Sequence, residues 1–310
     1  MKKLSLLILS ILAFSLCHAQ PVRMELNLTK GKVYSYDMSS KSMSSQEILG
    51  QKIDIDMNML FIISFVVKEV HETYYDFDVK YEYLKLEAGN IMEKMVVDSK
   101  KNDPQDAMSS LLTEMTQHSF QMKMNKQGEV IGVSGLDKLY EAMTQHAQQL
   151  PEIQKQQMIS QLSQSFGEEA LKGNLGLYSA IFSKETVAPG DTWTQEHPLN
   201  TGYTQEKIKI TYTYKGIQEN CWVIETKGEF STQGGESFIE IQPGMQAMVE
   251  LQATTSSVLK IDRATGWLMK SDGDMPMTGK MTIKDTPLAP EGMVIPVNTK
   301  TTFMVIGDIK

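Results

Sequence analysis

The chain has 310 residues, 30 Lys and Arg against 38 Asp and Glu, a formal net charge of −8 and 41% hydrophobic residues. That length allows two domains or one large all-β unit, and the composition excludes a disordered, collagen-like or disulfide-scaffold chain. The acidic balance argues against nucleic acid as a partner, because no basic excess exists to displace phosphate counterions.

Residues 1–19, MKKLSLLILSILAFSLCHA, read as a secretory signal peptide. Lys2 and Lys3 give a positive start, Leu4 to Leu16 an apolar run broken by serines, and Cys17-His18-Ala19 a small-residue cleavage site. The run is shorter than the roughly 20 residues that span a bilayer. Cleavage after Ala19 and a periplasmic or extracellular destination are therefore expected. Lipidation of Cys17 is the rival, and Leu16 before it is not the small residue a lipobox wants. No later segment reads as transmembrane, since Met57 to Val70 is interrupted by Asn58, Ser64, Lys68 and Glu69. Once the leader is gone Cys221 is the single cysteine, so no intramolecular disulfide is available.

Strands come first along the mature chain. Lys32 to Tyr36 and Lys52 to Met59 alternate with period two. From Tyr75 to Leu86 the alternation puts Tyr75, Phe77, Val79, Tyr81 and Tyr83 on one face, and Asp76, Asp78, Lys80, Glu82 and Leu84 on the other. One buried and one wet sheet face is the expected result. Asp103, with Pro104 in the first turn, is placed to cap a helix carrying Met108, Leu111, Leu112 and Met115. A strand pair follows, Ser119 to Met124 and Glu129 to Val133, turning at Asn125 to Gly128. Leu136 to Ala147 is helical by spacing, and Pro151 opens a second, Gln-rich helix carrying Ile153, Met158, Leu162 and Phe166. Its neutral polar face suits neither nucleic acid nor an anionic membrane. Strands return at Lys207 to Tyr214, Trp222 to Thr226, Met248 to Ile261, Trp267 to Lys270 and Lys300 to Ile306.

The two β-rich stretches match each other in order. Leu28 to Tyr34 parallels Val187 to Trp193, Phe65 to Lys80 parallels Tyr212 to Lys227, and Met122 to Gly128 parallels Leu259 to Gly266. A duplication predicts a mainly β fold with an α insert: two related curved antiparallel β-sheets joined by a helical middle segment. The expected divisions are residues 20–135 for the first β-rich repeat with a helical insert, 136–180 for the helical segment and 181–310 for the second repeat.

The ordered features are a leader ending at Ala19-Gln20, Leu28 with Gly31-Lys32-Val33-Tyr34, Ile48-Leu49-Gly50-Gln51, Val97-Asp98-Ser99, a helical middle and Pro189-Gly190-Asp191-Thr192-Trp193. Together they resemble an uncharacterised bacterial extracytoplasmic family, domain of unknown function 6263, over nearly the whole mature chain. The resemblance implies a secreted or envelope protein typical of the Bacteroidetes group. It brings no activity and no catalytic residue.

Reactive constellations are scarce. His71, His118, His146 and His197 have no metal-binding spacing. No nucleophile elbow, Walker loop or dinucleotide fingerprint occurs. Cys221 has no flanking base to activate it. The acidic pairs Asp54/Asp56, Asp76/Asp78 and Asp272/Asp274 have the spacing of a solvated strand face, although a glycosidase could use such a pair. Asp272 and Asp274 are also the calcium candidate, without a downstream Glu ligand. The Met-x-Met pairs at Met57, Met122 and Met275 suit core filling more than Cu(I). Trp267 has no aromatic counterpart in the first repeat; core packing is its first reading, and an exposed sugar-stacking or protein-contact residue is the other.

The expectation for function is an exported, non-catalytic envelope protein, with no cofactor, that binds an apolar ligand or another envelope component. Met57, Met59, Phe61, Phe65 and Trp267 are the candidate ligand-binding residues. The alternative is a carboxylate-based hydrolase acting on envelope glycans or polymers. A third reading is a structural surface protein that gains avidity from its repeat.

Overall fold

A computed structural model describes residues 21–48, 51–90, 93–101, 106–145, 166–200, 205–232, 238–242, 245–284 and 292–310. The leader and the Gln-rich helix expected after Pro151 lie outside them, apart from Phe166. The strands are β1 (Val33–Ile48), β2 (Gln51–Val70), β3 (Tyr74–Gly89), β4 (Lys94–Asp98), β5 (Ser119–Asn125), β6 (Val130–Ser134), β7 (Thr192–Asn200), β8 (Gln205–Gln218), β9 (Cys221–Ser231), β10 (Ile239–Gln242), β11 (Met245–Asp262), β12 (Leu268–Ile283) and β13 (Met293–Ile309). The helices are α1 (Ala107–Gln117), α2 (Leu136–Gln145) and α3 (Glu168–Ser179).

All strands join one antiparallel sheet in the order β6-β5-β3-β2-β1-β13-β12-β11-β9-β8-β7, with β4 added to β3 and β10 to β11. The expectation of two sheets is corrected here. β13, the C-terminal strand, lies between β1 and β12 and hydrogen-bonds along both, so the two β-rich stretches become one surface.

The sheet is open but rolled. Eleven strands at about 4.8 Å spacing span about 48 Å if flat. Yet α3, about 10 Å wide, touches both edge strands, β6 and β7. Only a curled sheet brings those edges to one helix, and α3 sits in the seam. Gly173 packs against Pro198 of β7, where a Cβ would lie 2.8 Å from the Pro198 carbonyl oxygen. On the other side Ser179 Oγ donates to the carbonyl of Gly128 in the β5–β6 turn at 2.7 Å. That turn needs Gly128, which has φ +84° and stands so close to Ser179 that no Cβ fits.

Residues 22–28 cross one end of the curl and bury Met24, Leu26 and Leu28. Val22 pairs with Val187, the Leu26 N–H donates to Lys126 O, and the Asn27 N–H donates to Thr265 O. Tyr75 locks the segment by donating its hydroxyl to Leu26 O at 2.9 Å.

Two local expectations are corrected. A β-bulge opposite Ile62 and Ile63 inserts an extra residue into β3. The alternation therefore changes phase: Leu84 is fully buried and Tyr83 is only half-buried. Asp103 and Pro104 lie outside the described residues, and helix α1 is capped instead by Asp106, whose carboxylate accepts from the Ser109 N–H at 3.0 Å.

Candidate ligand cavity

The inner face of the curl is set by strand alternation. Tyr34 lies opposite Phe65, Tyr36 opposite Ile63, Met38 opposite Phe61 and Ser40 opposite Met59. β13 adds Val305 beside Met38 and Phe303 beside Ser40. Large rings fill the end closed by residues 22–28. Trp267 stacks on Tyr36 with centroids 4.5 Å apart and planes 9° apart, and meets Phe65 edge-on at 5.4 Å. Its indole N–H donates to Ser35 O at 3.3 Å.

A cavity of about 520 Å³ opens between the sheet and α3. Met38, Met59, Phe61, Ile63 and Tyr81 form one wall, Phe303 and Val305 the next, and Leu171, Asn174, Leu175 and Tyr178 the helix side. The helix contribution follows from its spacing: positions 171, 174, 175 and 178 share one stripe. Its small residues at 173 and 176 face β7 instead.

A second chamber of about 190 Å³ adjoins the first and shares Ser40, Leu177, Tyr178 and Phe303 with it. Its remaining walls come from β8, β9, β11, β12 and β13 and are rich in hydroxyls: Tyr212, Thr226, Thr255, Ser257, Ser271 and Thr301. Among the described residues no Lys, Arg, His, Asp or Glu lines either chamber. Burial pushes the Tyr178 phenol up to about 12 and raises Tyr81 and Tyr212 further, so these walls stay uncharged at ordinary pH. Two larger clefts, of about 620 and 730 Å³, have charged walls that include Lys172, Glu196, Lys207 and Glu229.

Of the candidate ligand-binding residues, Met59 and Phe61 line the cavity. Met57 continues their face but is 38% exposed and outside the lining, while Phe65 and Trp267 lie in the ring cluster beneath. Leu171, Asn174, Leu175, Tyr178, Phe303 and Val305 were not singled out from sequence. The stripe on α3 was the available signal for the helix residues.

The three acidic pairs alternate with inner-face residues and so point outward. Asp54 pairs with Lys52 at 3.3 Å, and its carboxyl is lowered by hydrogen bonds from Ser45 and Lys52. Asp76 meets His71 at 2.7 Å. Of the calcium candidates, Asp272 pairs with Lys270 at 2.9 Å and Asp274 accepts from Ser256 Oγ at 2.9 Å. None of these carboxylates lines the cavity. Among the described residues no group of three His, Cys, Asp or Glu is placed to hold a metal ion. Cys221 is half-buried and burial pushes its thiol up, away from a reactive thiolate. No helix among the described residues is long and apolar enough to cross a membrane.

Residues 72–268 match the Family of unknown function (DUF6263), and the chain belongs to that family. The match leaves out the segments Leu28 to Tyr34 and Ile48 to Gln51. No curated protein matches the sequence. Among solved structures, one described as lipid–protein interactions in lipovitellin aligns with 92% of this chain at 9% identity and a TM-score of 0.48. This chain spans 26% of the length of that protein. The translocator domain of the autotransporter NalP from Neisseria meningitidis aligns with 98% of this chain and 95% of its own, at 6% identity and a TM-score of 0.22. Both scores are low, and the fold stands on the chain's own strand pairings.

Proposed function

We propose that this member of the DUF6263 family is an exported binding protein that holds an apolar ligand between the concave face of its sheet and α3. The observation that carries the reading is the cavity of about 520 Å³, walled by Met, Phe, Ile, Leu, Val and Tyr side chains and, among the described residues, by no charged one. Small-molecule sites typically occupy roughly 300 to 1,000 Å³ and combine mostly apolar walls with a few polar groups. The hydrolase alternative is disfavoured because its acidic pairs face away from the cavity.

Titration with the neutral fluorescent probe N-phenyl-1-naphthylamine tests the reading. Saturable enhancement at one probe per chain is expected. Met59→Trp, which adds a ring to the cavity wall, should weaken it at least about tenfold, or about 1.4 kcal/mol. Absence of saturable binding contradicts the proposal.

Export belongs to the same reading. It predicts a mature chain that begins at Gln20. An intact leader, or an acylated Cys17, counts against it.

We infer also that the two halves descend from one duplicated unit. In support, the order β6-β5-β3-β2-β1 recurs as β12-β11-β9-β8-β7. The segment before β1 meets the β5–β6 turn through Leu26 and the β11–β12 turn through Asn27, and the segment before β7 meets the β5–β6 turn through Ser179. These are the turns that the sequence match pairs with each other.

A further inference from the structure

We propose that the second chamber is a headgroup pocket, and that the ligand is a neutral amphiphile whose hydroxyl, ester or amide end hydrogen-bonds Ser271. This rests on the reading of the first cavity as an apolar ligand site and adds the chemical class of the ligand.

Ser271 sits on the inner face of β12, between Leu259 of β11 and Val305 of β13. It is 1% exposed, and its Oγ has no hydrogen-bond partner. Neighbouring hydroxyls are engaged. Thr226 and Ser257 pair at 2.7 Å, Thr301 pairs with Ser42 at 2.8 Å, Thr255 donates to Asp274 O at 3.0 Å, and Tyr212 pairs with His197 at 2.9 Å. A buried hydroxyl left unpaired has lost its water without replacement, and native proteins rarely leave one so. Ser271 lines the second chamber, where a ligand group can supply the missing partner.

The charge of that group follows from the walls. Among the described residues no cation or anion lines either chamber, so a carboxylate, phosphate or ammonium headgroup buried against these walls would be an uncompensated charge. A pure hydrocarbon would leave Ser271 unpaired. A neutral polar end meets both conditions, with its chain passing Tyr178, Leu177 and Phe303 into the larger chamber.

The test is displacement of bound N-phenyl-1-naphthylamine by three ligands of equal chain length: 1-dodecanol, dodecanoate at pH 8, and n-dodecane. Dodecanol is expected to displace the probe at a concentration about fivefold to tenfold below that of either other ligand, the range one neutral hydrogen bond supplies. Ser271→Ala should abolish the advantage of dodecanol over dodecane and leave dodecane unchanged. Its melting temperature should not fall, because the lost oxygen had no partner. Equal displacement by dodecanol and dodecane in the unaltered protein overturns the headgroup pocket while leaving the apolar site standing. Stronger displacement by dodecanoate overturns the neutral class. Failure of the probe to bind at all overturns the apolar site, and this inference with it.

Discussion

Trp267 joins the two halves of the chain side chain by side chain. It follows the β11–β12 turn, yet its ring partners, Tyr34, Tyr36 and Phe65, come from β1 and β2. Fully buried, it is expected to cost about 3–5 kcal/mol when cut to Ala. Urea unfolding checks this, and a loss below about 1 kcal/mol would contradict its place in the core. The ring cluster supplies the aromatic partners that Trp267 lacks in the repeat comparison. Alternation shows which face a residue takes, but not which distant aromatics the curl brings to it.

His197 gives a pH prediction at the same scale. Burial lowers its pKa, against a smaller opposing pull from Glu129. The unfolded chain therefore binds a proton near pH 6.5 that the folded chain refuses until lower pH. This contribution is present above pH 6.5 and is lost as pH falls towards the folded value. The urea midpoint should drop between pH 7.5 and pH 5.5, and His197→Gln should flatten that drop. Glu87 and Asp106, each lowered to about 2 by hydrogen bonds, Lys94 first for Glu87 and Lys101 first for Asp106, act below pH 4.5 and leave the window clear. An unchanged slope in the variant would refute the assignment.

At the scale of elements, α3 is the piece on which the site depends. It closes the seam between β6 and β7 and presents Leu171, Leu175 and Tyr178 to the cavity. Its C-terminal end is tied to the β5–β6 turn by the buried Ser179–Gly128 hydrogen bond. Ser179→Ala leaves the Gly128 carbonyl unpaired, at about 1–3 kcal/mol, and should weaken probe binding by loosening the helix wall. Lost stability with unchanged probe affinity would separate α3 from the site.

Most strands were legible because their alternation is strict, as in Lys52 to Met59. The face change at Tyr83 and Leu84 was not, because a bulge leaves no mark in hydrophobicity. In the sequence, residues 136–180 read as a helical segment with no helix marked at Glu168–Ser179, so the role of α3 is hidden there. The same stripe suits packing on any apolar surface, and only the sheet's curl shows that this surface is hollow.

For the whole molecule, the decisive element is the last strand. Two β-rich stretches in sequence suggested two sheets, and nothing local marks β13 as the strand that lies between them. Because β13 pairs along most of its length with both β1 and β12, the halves share one hydrogen-bond ladder and one main core cluster. Unfolding should follow a single cooperative transition by fluorescence and by circular dichroism together. Two separated transitions would show that the halves fold independently.

The proposed apolar ligand occupies the inside of the curl, not its outer face. Photo-crosslinking with a neutral alkyl diazirine, followed by peptide mapping, tests it most directly. Labels should concentrate on Met59, Phe61, Leu175 and Tyr178 and fall away in Met59→Trp. Labels spread over the outer face, or unchanged by that substitution, would contradict the account.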